Sequence, residues 1–233
     1  MSQGAHLVTH RNIMNLTGRE TFLTARLTLD QRKDYNFMSD LNIFDRTPNI
    51  IEESRNGLIS YPIADDMMRD RKISLLGKVD DESVNSLITQ LLYLEKVAPG
   101  EEITFYINSG GGEVGNGLAL YDVMQHISSP VHTICVGMAA SMAAVLFSAG
   151  DRREMFAHSK VMIHDPSISG LSHTNALELQ VVSKDLLETR KSLAEILSKH
   201  TGQTVDTILE KTVTDCFFTA EEAIEFGLAD NII

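Results

Sequence analysis

The strongest constraint on the fold is an alternation between residues 73 and 149, where short β-branched, apolar stretches take turns with helix-like ones. Ile73 to Leu76 reads as a strand. Val84, Leu87, Ile88, Leu91 and Leu92 then recur at the i, i+3, i+4, i+7 and i+8 spacing of one apolar helix face. Ile103 to Ile107 reads as a second strand, Val114 to Ile127 as a second helix, Val131 to Val136 as a third strand and Ala143 to Ala149 as a third helix. Repeated βαβ units imply parallel pairing with right-handed crossovers, so an α/β fold is expected. The 233 residues suffice for one large domain or two small ones.

Composition narrows the function classes. A net charge of −12 argues against nucleic acid, which is bound through clustered Lys and Arg that are missing here. No apolar run approaches the roughly 18 residues of a membrane helix, and the opening MSQGAHLVTHRN lacks the apolar core of a signal peptide. A cytoplasmic location without membrane partners is therefore expected. In that setting Cys135 and Cys216 read as two reduced, packed thiols. No metal site is expected, because His158 and His164 lack the i, i+4 spacing of paired helical ligands.

Two stretches carry candidate chemistry. In CVGMAASMAAVLFSAG, Gly137 ends the third strand and Ser141 stands at a strand-to-helix turn among small residues. At a helix start the unpaired N–H groups favour developing negative charge, so the N–H of Met142 could serve an oxyanion. The spacing is not the G-x-S-x-G elbow, and an ordinary N-cap serine remains an open reading. His164 follows the apolar run Val161-Met162-Ile163 and could act as a base. The second stretch is Asn108-Ser109-Gly110-Gly111-Gly112, between a strand and a helix, where glycines permit positive φ and close backbone approach. Phosphate binding is its rival reading, but no P-loop lysine follows.

YINSGGG (106–112), GMAASMAAVLFSAG (137–150), VMIHDP (161–166) and HTGQTVDTILEKTVTDCFFTAEEAIEFGLADNII (200–233) stand in that order. Together they resemble the ClpP family of self-compartmentalising serine peptidases, over about Ile50 to Ile233. The resemblance implies a crotonase-like ββα spiral with a protruding handle helix. It implies that Ser141 is the nucleophile, His164 the general base and Asp215 the triad carboxylate, with the N–H groups of Gly112 and Met142 forming the oxyanion hole. Asp215 comes from the resemblance alone; an aspartate ahead of the capping box Thr219-x-x-Glu222 otherwise reads as a solvated loop acid.

The resemblance also implies an organisation. Residues 1–49 would be an N-terminal extension or propeptide, with a small folded cap over the pore as the competing reading. Residues 50–233 would be the peptidase domain, with an axial loop at about 50–62 and the handle region at about 165–200. Seven-membered rings of this chain, alone or with a second ClpP paralogue, would stack through the handles into a tetradecamer. Unfolded polypeptides would be its substrates, fed by an AAA+ unfoldase of the ClpX or ClpA/ClpC type. No cofactor is expected in this chain, since ATP would be hydrolysed by the unfoldase.

Three departures from the family pattern stand out. Gly110 occupies the usual proline position of the glycine turn, Thr104 replaces a tyrosine common at the unfoldase-docking surface, and Asp165 replaces the glutamine after the histidine, which puts a second carboxylate beside the base. They motivate a second reading, a weakly active or inactive ring subunit with an assembly or gating role. A third is a crotonase-type acyl-CoA enzyme, which would share the glycine turn but not need Ser141, His164 and Asp215.

Overall fold

The computed structural model describes residues 12–14, 20–22, 48–54, 57–168 and 175–233. Within the first 47 residues the described backbone comprises two short antiparallel strands, β1 (Asn12–Met14) and β2 (Glu20–Phe22). Contacts separate these residues from a larger unit, Pro48–Ile233. The extension, propeptide or cap expected at residues 1–49 therefore falls almost entirely outside the described residues.

The larger unit begins with an antiparallel hairpin, β3 (Asn49–Ser54) and β4 (Gly57–Pro62), in the stretch expected as an axial loop. Its Ile51, Leu58 and Ile59 are exposed. A short helix follows, α1 (Ile63–Arg69). Then comes the alternation that dominates the sequence: β5 (Lys72–Val79), α2 (Asp81–Val97), β6 (Ile103–Gly112), α3 (Val114–His126), β7 (Val131–Ala140) and α4 (Met142–Ser148). The chain ends with β8 (Arg152–Met155), β9 (Lys160–Ile163), α5 (Ala176–Thr201), α6 (Val205–Lys211), β10 (Cys216–Phe218), α7 (Ala220–Phe226) and β11 (Asn231–Ile232).

Seven of these strands form one mostly parallel sheet, ordered β10-β9-β7-β6-β5, with β8 also on β7 and β11 on β8. Only the β9–β10 pair within it is antiparallel. β7 forks. Its first half, His132 to Cys135, pairs with β8, and its second half, Met138 to Ala140, pairs with β9. The fork carries the sheet from one layer toward the next and leaves the end of β7 beside the end of β9. This mixed α/β architecture matches the expected spiral class.

The helices bury what their periodicity predicts, with one shift. On α2 the buried positions are Val84, Leu87, Leu91 and Leu94, whereas Leu92, expected on the apolar face, is exposed. An α-helix turns 100° per residue, so Leu92 lies one step off the stripe that starts at Val84. Asp80 and Ser83 form a reciprocal capping box at the start of α2. Every residue of α4 is buried, including Leu146 and Phe147 at 0% exposure, so a burial of roughly 1.5–3 kcal/mol per large side chain holds this helix in place. The helix sits between the sheet and α5, and its N-terminus is thereby fixed. Among the described residues, no helix is long and apolar enough to cross a membrane.

Candidate active site

Ser141 stands where β7 turns into α4, with φ +56° and ψ −124°. Such a conformation costs a non-glycine residue on the order of 1–3 kcal/mol, so surrounding bonds must impose it. They are present: the Ser141 N–H donates to the Met162 carbonyl at 2.8 Å, and the Ser141 carbonyl accepts from the N–H groups of Ala144 at 3.0 Å and Val145 at 3.3 Å. The serine occupies the N-cap position, but its hydroxyl makes no capping bond. Instead Oγ lies 2.8 Å from Nε2 of His164.

Strand register positions the histidine and the aspartate. The parallel β7–β9 ladder sets Ala140 against Met162, so Ser141 and His164 leave neighbouring strands in the same direction. The antiparallel β9–β10 ladder sets Ile163 against Cys216. One step beyond that rung, His164 and Asp215 stand opposite each other, with Nδ1 3.1 Å from Oδ1. A single imidazole thus bridges a hydroxyl and a carboxylate. The His164 side chain is 28% exposed and that of Asp215 62%.

The glycine turn packs against this serine. Gly111 has φ +88°, and a methyl there would lie 2.6 Å from the Ala140 carbonyl oxygen and 2.7 Å from Ser141 Cβ. Gly112 has Val79 as its neighbour, with the carbonyl oxygen 2.1 Å from where a Cβ would be. Met142 is the first residue of α4, so helix geometry gives its N–H no partner within the helix. Its side chain lies over Gly117 of α3, where a Cβ would come within 2.1 Å of Cγ. In the sequence the triple glycine signals Gly111 only as one of three, and nothing local signals Gly117.

Beside Ser141 and His164 opens a pocket walled on its apolar side by Met142, Val145, Leu193, Leu197 and Ile208. Arg190, Asp165 and Thr212 form its polar side. The Asp165 carboxylate, expected beside His164, is engaged by other partners. Its Oδ2 accepts from Arg190 Nε at 2.7 Å and its Oδ1 from Thr212 Oγ1 at 2.6 Å. The guanidinium and the hydroxyl draw both oxygens toward α5 and α6.

Other nucleophile candidates are poor ones. Burial pushes the Cys135 thiol up to about 11, so at neutral pH it stays protonated and unreactive. Cys216 is partly buried beside Asp215. Among the described residues, no group of three or more His, Cys, Asp or Glu is arranged to hold a metal ion.

The site therefore has a strained serine, a bridging imidazole, an adjoining glycine turn and an apolar pocket. The family model described as Clp protease matches residues 55–233, which take in the whole seven-stranded sheet and every residue just described. The chain belongs to the Clp protease family. Clp proteases are oligomeric peptidases that work with unfoldase partners, and this places the chain among the ClpP-like hydrolases.

Proposed function

We propose that this Clp protease is a serine endopeptidase that cleaves unfolded polypeptides by acyl-enzyme chemistry. The observation that carries the reading is the bonded chain from Ser141 Oγ to His164 Nε2 at 2.8 Å and from His164 Nδ1 to Asp215 Oδ1 at 3.1 Å. In this reading His164 takes the hydroxyl proton as Oγ attacks the scissile carbonyl, and later returns it to the leaving amine. Asp215 accepts from Nδ1–H, which holds the tautomer with Nε2 free to accept and stabilises the imidazolium. The N–H groups of Gly112 and Met142 receive the oxyanion, each removal of such a donor costing about 100- to 1000-fold. The apolar pocket takes the side chain next to the cleaved bond.

Assembly follows the family. Leu177, Val181 and Leu187 of α5 are 61–75% exposed, an apolar face that stacking of rings into a tetradecamer would cover. No cofactor is required by these steps; ATP would be spent by an AAA+ unfoldase that threads substrate into the chamber. A second reading, a ring subunit active only beside a partner, is favoured by one observation: Asp215 lies 62% exposed in the single chain, where solvent weakens its hold on the imidazole.

Intact-protein mass spectrometry after reaction with a fluorophosphonate tests the proposal, with light scattering to size the particle. One adduct on the wild type, absent from Ser141→Ala, on a particle near fourteen subunits is expected. A well-assembled particle without an adduct overturns autonomous peptidase activity and favours the partner-dependent subunit.

A further inference from the structure

We infer that Arg190 of α5 is a positioning residue for the base, acting through Asp165 and Thr212 on the two segments that carry His164 and Asp215. The inference rests on the serine-peptidase reading. Its starting point is that neither residue lies within the strand ladder: the last rung pairs Ile163 with Cys216, and His164 and Asp215 stand one step beyond it. β10 is three residues long, so the ladder alone holds Asp215 weakly.

A clamp lies just past both positions. Asp165 follows His164 directly, and its N–H donates to the Thr212 carbonyl at 2.7 Å. Thr212 ends α6 three residues before Asp215. The Asp165 carboxylate accepts from the Thr212 hydroxyl at 2.6 Å and from Arg190 Nε at 2.7 Å, while another guanidinium nitrogen of Arg190 donates to the Leu209 carbonyl at 2.8 Å. One planar fork thus joins the segment behind the base to the last turn of α6. The two side chains are 28% and 30% exposed, which shields the pair from much of the solvent. Charge-assisted bonds in partial shelter are roughly twice as strong as neutral ones. A lysine could satisfy one acceptor at a time but not hold this forked geometry.

Position is what the base needs. A displacement of about 1 Å at a reacting group costs about 100-fold in rate without changing how substrate is held. A merely structural tie between α5 and α6 would instead lower thermal stability and leave turnover alone. The roles separate in the rate at which a small fluorophosphonate labels Ser141, which neither a tie between helices nor a wall of the substrate pocket would alter.

The test uses the assembled full-length protein, a short fluorogenic peptide amide and a fluorophosphonate, on wild type, R190Q, R190K, D165N and the double variant D165N/R190Q, each sized by light scattering. R190Q is expected to lose about 10- to 100-fold in kcat and equally in its labelling rate by a small fluorophosphonate that leaves the pocket beside Arg190 unfilled, and R190K to recover part of that loss. The double variant is expected to be no worse than R190Q, because it leaves no uncompensated carboxylate behind the histidine. Wild-type labelling in R190Q overturns the inference, whatever happens to its KM or melting temperature. Should R190Q fail to assemble, R190K decides: slowed labelling by the small probe supports positioning, and wild-type labelling overturns it. Wild-type protein without Ser141-dependent labelling overturns the peptidase reading itself, before any Arg190 variant is compared.

Discussion

A methyl group added at Gly111 should cost about 3 kcal/mol and most of the activity, while the same methyl at Gly110 should cost nothing. Gly111 has φ +88°, which an alanine adopts only at a penalty of about 1–2 kcal/mol. Its new Cβ would also sit 2.6 Å from the Ala140 carbonyl oxygen, 2.7 Å from Ser141 Cβ and 3.0 Å from Met142 N. Two of these atoms are backbone and the third is anchored to it, so none can swing away, and overpacking of this kind costs about 1–3 kcal/mol. Gly110 is not among the positive-φ glycines, and a Cβ there meets nothing within 4 Å. Alanine at that position restricts only the unfolded chain, a gain of about 0.4–1 kcal/mol. In a chain of this size 1 kcal/mol moves the melting temperature by about 2–4 °C. Gly111→Ala should then melt roughly 6–12 °C lower than wild type, and Gly110→Ala slightly higher. Because the Gly111 methyl pushes on the Ser141 turn, fluorophosphonate labelling of Gly111→Ala should slow by about 100-fold. Thermal denaturation followed by circular dichroism, with labelling rates on the same samples, reads both quantities. Equal melting temperatures and labelling rates for the two variants would refute the reasoning.

Three further outcomes are expected. Burial of His200 beside Tyr121 depresses its folded-state pKa to about 4, so the unfolded chain binds the proton more readily. Stability should therefore be full above about pH 6.5 and fall as pH drops toward 4, by about 1–2 kcal/mol after discounting for partial exposure, and His200→Gln should flatten that slope in pH-dependent melts. Arg153 donates to the Asp230 carboxylate and to the carbonyls of His200 and Gly227, and its side chain is only 14% exposed; Arg153→Ala should cost about 3 kcal/mol in chemical denaturation. Iodoacetamide at pH 8 should label the partly buried Cys216 and leave Cys135, held up at about 11 by burial, untouched until the protein is unfolded, as peptide mass spectrometry would read.

Much of the parallel core was legible because periodicity and burial coincide there. β5, α2, β6, α3, β7 and α4 all arise from stretches whose apolar spacing names their type. The strands run longer than their β-branched cores, β6 through Gly112 and β7 through Ala140, since ladder bonds continue across small residues that carry no strand signal. β8, reading RREM, and β10, reading CFF, are too short or too polar to announce themselves, and they form because β7 and β9 offer open edges. The same split holds at the site. Ser141 and His164 sit at the ends of recognisable strands, whereas Asp215 meets His164 only through the antiparallel register of β10. Arg190 lies on a long helix among other charges, and only the folded chain distinguishes it from Lys184 or Lys191, whose ion pairs stay on the helix surface.

The order of strands is also an order of vulnerability. Among the described residues β10 is an edge strand of three residues, bonded on one side alone, and Asp215 hangs from its first residue. Edge segments with so few ladder bonds open at a small fraction of the free energy that unfolds a core. Fraying there would detach the carboxylate from the imidazole while β5, β6 and β7 stay paired. Mild denaturant should then silence Ser141 before circular dichroism reports any loss of structure, and amide exchange at Cys216 and Phe218 should run ahead of that at Phe105 and Ile134. On the serine-peptidase reading, catalytic competence is thus rationed by the least protected strand, and the robustness of the core says little about how long activity lasts.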